Sequence, residues 1–439
     1  MVSLPESLLS IADIQEMWMV LLPEERAEAF ELLGRDAAQE FFLSLSSIER
    51  TDIIFHLPEG ERKLWMRLLP PDDAADSIQK ASEEMRPALL SLLDDKTQTE
   101  VKALLSYRQD VAGGLMNPRF ARVRPDITAD EAIRYLRLQA QGLGGLYYVL
   151  VLDEEQHLMG VISFQDLFQA APEKKIRDIM KTEVVTVTEN EDQEVVSRIF
   201  AQYKFLAVPV VDSENRIKGI ITADDILRTV QAEASEDIQK MGGMEALNRP
   251  YMEISFFDML KKRAGWLVFL FLGEMMTASA MSHFEKEIAR AVVLVLFIPL
   301  IISSGGNSGS QATTLIIRAL ALGEVKLKDW WKIIYRELGM GLGLGCILAV
   351  IGFFRILVWQ SIFHLYGEHY LKIATAVSLS LIGVVMWGST AGSMLPFILR
   401  RLGFDPASAS APFVATLVDV SGIVIYFTVS AIILRGTLL

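Results

Sequence analysis

Asp419 is an acidic residue in the middle of a long apolar segment, APFVATLVDVSGIVIYFTVSAIIL. A carboxylate at that depth in a membrane is costly, and such residues usually belong to ion paths or to paired charges. The alternative is a structural acid, paired with a basic side chain or satisfied by the hydroxyls of Thr416 and Ser421. Few basic residues lie at a matching depth, since Arg355 is near the outer end of its own segment. The residue types therefore favour a cation site.

A second apolar segment, IPLIISSGGNSGSQATTLIIRALALGE, contains a run of glycines, serines, Asn307 and Gln311. We expect this run to interrupt the helix, and irregular backbone occurs at membrane depth only where it lines a cavity or packs within protein. A close helix–helix contact through small residues is the alternative, but the density of polar groups favours a pore lining. Carboxylate, carbonyl, amide and hydroxyl oxygens suit Mg²⁺, Ca²⁺ or Mn²⁺ rather than Zn²⁺ or Cu⁺. Mg²⁺ keeps several waters and takes one or two carboxylates.

Glu274, in WLVFLFLGEMMTASAM, is a second acid within an apolar segment. It is consistent with an additional ion site, a proton-linked group or a paired structural acid. A coupled transporter therefore remains an alternative to a channel.

Charge and hydropathy divide the chain into two halves. Residues 1–250 carry 27 basic and 44 acidic residues, a net charge of −17, and residues 251–439 carry 15 and 11, a net charge of +4. The acidic half argues against nucleic-acid binding, which normally requires a basic patch. The start of the chain has neither a basic n-region nor a long apolar h-region, so we expect this half to stay in the cytosol. A single cysteine, Cys346, excludes a disulfide framework and a cysteine-based metal site.

Five apolar segments are long enough to cross a bilayer. We predict spans at about 264–283, 288–321, 336–363, 373–399 and 408–435. The basic residues concentrate before the first span, between the second and third, and between the fourth and fifth. The positive-inside rule then places the N-terminus inside and the C-terminus outside a cell (inner) membrane.

The acidic half contains two different repeats. Residues 21–107 repeat about every twelve residues, and each unit opens with helix-start residues and closes on an apolar pair, which predicts a small α-solenoid. A helical bundle with coincidental spacing is the alternative. In residues 108–230, GGLMNPRFARVRPDITADEAIRYL is echoed by IRDIMKTEVVTVTENEDQEVVSRIF, and Gly160 and Asp166 correspond to Gly219 and Asp225. Each half predicts strands around an acidic turn and a closing helix.

The second repeat resembles a tandem pair of CBS domains, for which G-x-x-[ST]-x-x-D is characteristic. CBS pairs often bind adenine nucleotides, so the resemblance implies ATP as a candidate ligand at Gly219, Thr222 and Asp225. The whole chain resembles the MgtE family of magnesium channels. The resemblance rests on the segments SGGNSGSQATTLIIRALALGE and PFVATLVDVSGIVIYF and on the order of the domains. We therefore expect an α-helical N-domain, an α/β CBS pair, a connecting helix and a five-helix transmembrane pore domain, at residues 1–107, 108–230, 231–262 and 263–439.

The resemblance implies a homodimer in lipid whose second and fifth spans line a central pore. Asp419 and the backbone carbonyl of Ala415 would hold hydrated Mg²⁺, with Gly306, Asn307, Gln311 and Thr416 as pore-lining neighbours. It also implies a gate, in which Mg²⁺ bridges cytosolic acids and the connecting helix closes the pore. The candidate sensing acids, each of which has an ordinary solvated face as its alternative, are Asp94, Asp95, Asp224, Asp225, Glu233, Glu236 and Asp237.

Three functions from different classes are consistent with these residues. A Mg²⁺-gated Mg²⁺ channel is favoured, an ion-coupled (Na⁺ or H⁺) exchanger using Glu274 is the second, and a membrane-anchored sensor without transport is the third. A membrane anchor does not need polar groups within its span, so the polar second segment argues against the sensor. The five histidines are scattered and no nucleophile motif occurs, so we do not expect an enzyme. The choice among Mg²⁺, Mn²⁺, Co²⁺ and Ca²⁺ stays open.

Overall fold

The structure is a computed structural model that describes residues 10–18, 20–139, 147–247 and 249–438. It divides into two compact units, with the boundary between Val230 and Gln231. Each unit is described below by itself.

The N-terminal part of the first unit is built from short helices, one for each twelve-residue repeat. Alternate helices pack on one another, in the series α2, α4, α6, α8 and in the pair α5, α7, so the predicted α-solenoid is confirmed. The ninth position of each of the first five repeats supplies the core: Phe30, Phe42, Ile54, Met66 and Ile78 are all buried. The helices are α1 (Ile11–Trp18), α2 (Pro23–Glu31), α3 (Arg35–Ser44), α4 (Ser47–His56), α5 (Glu59–Leu68), α6 (Pro71–Lys80), α7 (Arg86–Leu92) and α8 (Asp95–Leu104).

The fifth position of the repeat explains how successive helices are joined. Arg26, Arg50, Arg62 and Arg86 all occupy it, and each guanidinium donates to one or more carbonyl groups near the end of the preceding helix. Gln98 at the same position donates weakly to the carbonyl of Leu93, at 3.4 Å. The last carbonyls of a helix lack intrahelical donors and attract positive charge. Each of these arginines therefore caps the C-terminal end of one helix, although the arginine itself belongs to the next helix.

The rest of the first unit consists of two similar α/β halves. The first contains α9 (Ala112–Leu115), β1 (Arg122–Val123), α10 (Ala129–Gln139), β2 (Tyr148–Leu152), β3 (Leu158–Ser163) and α11 (Phe164–Gln169). The second contains β4 (Val187–Thr188), α12 (Gln193–Tyr203), β5 (Ala207–Val211) and β6 (Ile217–Thr222), and it closes with α13 (Ala223–Met241). In each sheet the first strand runs parallel to the second, which is antiparallel to the third.

The two halves exchange the segments that precede their first strands. Asn117 forms a backbone bridge with Ile220 of β6, and Lys181 forms one with Val161 of β3. The glycines of the two G-x-x-[ST]-x-x-D motifs make room for these segments. A Cβ atom at Gly160 would lie 2.7 Å from the Lys181 carbonyl oxygen, and one at Gly219 would lie 2.7 Å from that of Asn117. The glycine of each G-x-x-[ST]-x-x-D motif therefore has a packing role.

Among the described residues of the second unit, every regular element is a helix. The unit begins with the last part of α13, which ends at Met241, just before Gly242 and Gly243. There follow α14 (Phe256–His283), α15 (Glu285–Arg290), α16 (Ile298–Ala321), α17 (Trp330–Phe363), α18 (Tyr370–Arg401) and α19 (Ala411–Leu434). Among the described residues five helical segments are long and apolar enough to cross a membrane, in agreement with the five predicted spans: Phe256–His283, Val292–Ala321, Leu327–Phe363, Tyr370–Arg401 and Ala411–Leu434.

The predicted interruption of the second span is wrong. After a 3₁₀ turn at Val292–Phe297, α16 is continuous through the whole polar run. The glycines do not break the helix because a neighbouring helix packs directly against them, and this packing outweighs their low helix propensity.

Candidate functional site

One face of α16 is in close contact with α18. A Cβ atom at Gly388 would collide with the carbonyl oxygen of Gly305, and one at Gly392 would collide with that of Gly309. The hydroxyls of Ser308 and Ser389 lie 2.6 Å apart. The Thr313 hydroxyl lies 2.9 Å from the carbonyl oxygen of Gly309 and 2.7 Å from that of Gly392. About half of the polar run therefore serves close helix–helix packing, which was the alternative to a pore lining.

The opposite face of α16 is an exposed polar row. It consists of Ser303, Asn307, Gln311 and Thr314, which are spaced at three or four residues and are exposed within the single chain. The Asn307 amide lies 3.5 Å from the Ser303 hydroxyl. Exposed amides and hydroxyls within a span require water or another protein surface, because lipid chains offer no hydrogen bonds. This row is a candidate lining for an aqueous path.

Asp419 lies two turns into α19 and is half-buried. Ala415, one turn earlier, touches α16, since a Cβ atom at Gly306 would lie 3.6 Å from both Cα and Cβ of Ala415. Thr416 faces differently: its hydroxyl donates to the carbonyl of Pro412 at 3.1 Å, and its methyl group lies against Gly273 of α14. The structure thus brings Gly306 and Ala415 together, while the Thr416 hydroxyl is engaged within its own helix.

Glu274 of α14 is an acidic neighbour of Asp419. The two carboxyl groups lie within interaction range of each other, and Glu274 is exposed within the single chain. The hydroxyl of Ser421 is committed elsewhere, because it donates to the carbonyl of Leu417 and accepts from the Trp387 ring at 2.7 Å. Two carboxylates this close repel each other unless a cation or a proton lies between them. The arrangement can therefore attract a cation at membrane depth.

A second acidic site lies in the first unit, between α6 and the second α/β half. A cavity of about 230 Å³ is lined by four carboxylates, Asp72, Asp73, Asp224 and Asp225, and by the guanidinium groups of Arg119 and Arg228. Arg50, which is buried, pairs with Asp73 at 2.7 Å, and Arg228 reaches Asp73 at 3.5 Å and also pairs with Asp225. The amide of Asn117 donates to Asp72 at 3.0 Å.

The carboxyl groups around this cavity hold their protons more tightly than free ones. Burial, reinforced by the charges of Asp225 and Asp73, raises the pKa of Asp72 well above its usual value. Burial and the charge of Asp73 raise the pKa of Asp76 to about 7. Burial also raises the pKa of Asp225. Negative charge is therefore in excess here, and a divalent cation would relieve it.

Only part of the predicted sensing set lies at this cavity. Asp224 and Asp225 line it, whereas Asp94 caps α8 by accepting from Thr97, and Asp95 is exposed beside it. In the second unit Glu236 pairs with Lys240, and Glu233 and Asp237 lie on the same helix. Sequence reasoning missed three acids, although their spacing in PPDDAAD was visible: Asp72, Asp73 and Asp76.

The predicted nucleotide residues have local structural partners. The Thr222 hydroxyl donates to Asp225 at the start of α13, and the corresponding Ser163 donates to Asp166 at 2.7 Å. Thr222 and Asp225 also border the acidic cavity, which is unfavourable for phosphate. A different cavity, of about 170 Å³, lies between the two halves and is lined by Tyr148, Phe205 and Lys181 among others.

Comparisons with known proteins match every part of the chain that has been described above. A family model for a divalent cation transporter matches residues 298–429, one for the MgtE intracellular N domain matches 9–110, and the CBS domain model matches 111–173 and 176–232. The magnesium transporter MgtE of Thermus thermophilus is 38% identical over 97% of this chain and 93% of its own. That of Enterococcus faecalis is 31% identical over 94% and 98%.

A solved structure, the cytosolic domain of the Mg²⁺ channel MgtE in complex with ATP, is 37% identical and has a TM-score of 0.48, covering 51% of this chain and 91% of that chain. Five spans behind a helical intracellular domain and a CBS pair define a multi-pass membrane protein that transports divalent cations. The chain belongs to the MgtE family of magnesium transporters.

Proposed function

We propose that this chain is a Mg²⁺ channel that works as a homodimer, imports Mg²⁺ into the cell and closes when cytosolic Mg²⁺ is plentiful. The observation that carries the proposal is the position of Asp419 within a span, next to the helix that exposes the polar row. Two chains related by a two-fold axis would present two Asp419 carboxylates and two Ala415 carbonyls to one ion. Mg²⁺ dehydrates reluctantly, so a site with few direct ligands suits its hydrated form.

Purified chain in liposomes tests the ion path directly. Mg²⁺ uptake should fall by at least about tenfold in Asp419→Ala, because loss of a charged partner costs more than loss of a neutral one. Asn307→Ala and Gln311→Ala should reduce uptake less, since each removes a neutral oxygen. Glu285→Gln, an acid of the α14–α15 junction, is the matched control and should conduct normally. Undiminished uptake in Asp419→Ala would show that the ion passes elsewhere.

A second candidate function is an exchanger that couples Mg²⁺ to Na⁺ or H⁺. The proximity of Glu274 to Asp419 favours it, because a second carboxylate offers a place for a coupling ion. Flux in the exchanger depends on a counter-ion gradient and is lost in Glu274→Ala. Single-channel current from the purified chain excludes the exchanger, and retention of that current in Glu274→Gln would reduce Glu274 to an accessory role.

Regulation is proposed for the acids that line the 230 Å³ cavity, with Asp72 and Asp225 attracting cytosolic Mg²⁺. The support is their mutual repulsion and raised pKa values, which a divalent cation relieves. Mg²⁺ should slow proteolysis of the full chain within residues 10–230. The double variant Asp72→Asn/Asp225→Asn should lose this protection, and Asp94→Asn/Asp95→Asn should keep it. Equal protection in both would place the sensing acids elsewhere.

An adenine nucleotide is proposed for the 170 Å³ cavity rather than for Thr222. Tyr148 and Phe205 offer aromatic faces for a base, and Lys181, 3.7 Å from Asp166, offers a charge for phosphate. Binding of a fluorescent ATP analogue to the full chain should weaken in Lys181→Ala and persist in Thr222→Ala. The reverse result would return the nucleotide to Gly219, Thr222 and Asp225.

A further inference from the structure

The end of α13 is joined by a lysine to the loop between α18 and α19. The Lys240 Nζ atom lies 2.6 Å from Asp405 Oδ2 and 2.5 Å from Glu236 Oε1. The Lys240 and Asp405 side chains are only 28% and 35% exposed, so the pair is partly shielded from solvent. Burial alone lowers the pKa of Lys240, but the bonds to Asp405 and Glu236 outweigh it and raise the pKa above its usual value.

Asp405 itself is fixed in place by its own loop. Its second oxygen, Oδ1, accepts from the backbone amide of Ala407 at 2.8 Å and so caps the short turn that precedes α19. Lys240 therefore pairs with a carboxylate whose position is fixed by the turn, rather than with a free side chain.

Apolar contacts continue the junction next to this charge. Met241 packs against Ile317 of α16 and Ala407. The following Gly243 has φ +72°, and a Cβ atom there would lie 2.8 Å from the Trp266 ring and 3.2 Å from Pro412. These contacts bring the end of α13 against the beginning of α19.

The beginning of α19 is only about 13 Å along the helix axis from Asp419, at 1.5 Å per residue from Ser410. Ser410 caps α19 and also accepts from the Trp266 ring at 3.2 Å. Ser410 and the Asp405 turn thus lie at the end of the helix that carries the proposed ion site.

We propose that Lys240 is a charge latch that holds the end of the connecting helix on the Asp405 turn in the closed channel, and that its release accompanies opening. Lys240 acts through α19 and is a positioning residue that does not touch the ion. The inference rests on the proposed function, in which cytosolic Mg²⁺ closes the pore.

The test measures Mg²⁺ flux through the full chain in liposomes at graded Mg²⁺ on the cytosolic side. Lys240→Met and Asp405→Asn should each raise the Mg²⁺ concentration for half-inhibition by about 5- to 10-fold, the lower range of couplings between linked sites. Flux at the lowest Mg²⁺ should match that of the wild type, which also reports correct folding.

Lys332→Met is the matched control. Lys332 forms an ion pair with Asp329 at 3.3 Å in the same unit, and that pair does not involve α13. Unchanged inhibition in both single variants overturns the latch. Reduced flux at all Mg²⁺ concentrations overturns it too, since a latch for the closed state cannot be needed for conduction. Absence of flux or inhibition in the wild type would instead refute the proposed function.

Discussion

Asp76 has a carboxyl group whose environment opposes its charge. Its pKa of about 7 in the folded chain exceeds the value of 3.8 for an ordinary aspartate, so between these pH values the folded state binds a proton that the unfolded state has lost. The free energy of unfolding should therefore fall as pH rises from about 4 to 7, by at most about 1.4 kcal/mol per pH unit from this group, and then level off. Asp76→Asn should flatten this slope when Mg²⁺ is removed with a chelator.

Hydrogen exchange of α6 peptides in the full chain measures this local stability. Asp94 provides a control of opposite sign, because the hydrogen bonds from the side chain and backbone of Thr97 lower its pKa. The stabilisation from Asp94 is lost as pH falls through that lowered pKa. A slope that persists unchanged in Asp76→Asn would mean that another group is responsible.

Arg50 is a buried cation whose bonds join three parts of the solenoid. Its side chain pairs with Asp73 and donates to the carbonyls of Phe42 and Leu43. Removing one partner of a buried ion pair typically costs 3–5 kcal/mol, so Arg50→Met should lower the free energy of local unfolding by about that amount.

The measurement is hydrogen exchange of peptides from α4 and α6. Arg62→Met is the matched control, since Arg62 occupies the same repeat position and donates to the carbonyls of Leu57 and Phe55. Its expected cost is about 1–2 kcal/mol. Equal costs for the two variants would show that the ion pair with Asp73 adds nothing to the capping bonds.

At the level of elements, the contact between α16 and α18 depends on the absence of side chains. Gly388→Ala would place a methyl group against the carbonyl of Gly305 and force the two backbones apart. Overpacking of this kind costs about 1–3 kcal/mol, and displacement of α16 should also reduce Mg²⁺ flux. The thermal stability of the detergent-solubilised chain and its flux in liposomes should fall together.

Gly339→Ala on α17 is the control for that substitution. A Cβ atom there has nothing within 4 Å, and alanine is the better helix former. Its stability should be unchanged or slightly higher. An equal loss in both variants would attribute the effect to helix propensity rather than to the contact.

The polar run of α16 also shows where local sequence rules fail. Its glycines and serines have low helix propensity, and that alone predicted a break. The missing information was the second row of small residues, Gly388, Ser389 and Gly392, about 80 residues later, which provides the packing partner. Asn307 and Gln311 were singled out in the sequence for their amide oxygens, but only the helical structure separates them from the packed face.

At the scale of the whole molecule, the proposed dimer has a direct test. The chain has a mass of 49.0 kDa, so the detergent-solubilised particle should have twice that protein mass by light scattering with detergent correction. In the proposed dimer, association would cover the polar row of two chains and enclose one ion path. A monomer of full transport activity after dilution would contradict the dimer.

Domain order and element types were predictable because periodicity and span length are properties of contiguous sequence. The twelve-residue repeat, the two α/β halves and the five spans all follow from such local patterns. The cavity acids did not, since Asp72 and Asp225 are more than 150 residues apart and meet only in the folded unit. The proximity of Glu274 and Asp419 was hidden for the same reason. Both acids were individually conspicuous, but no local pattern relates α14 to α19.

The exchange of segments between the two α/β halves has a consequence for synthesis on the ribosome. Asn117 hydrogen-bonds through its amide and carbonyl to Ile220, at 2.7 and 2.9 Å. The partner therefore emerges about 100 residues later, roughly 5–20 s at ordinary elongation rates. During that interval the segment around Asn117 has no native strand to join. The Lys181 segment can join β3 of the first half soon after that strand is made, whereas the second half is completed only when β6 leaves the exit tunnel.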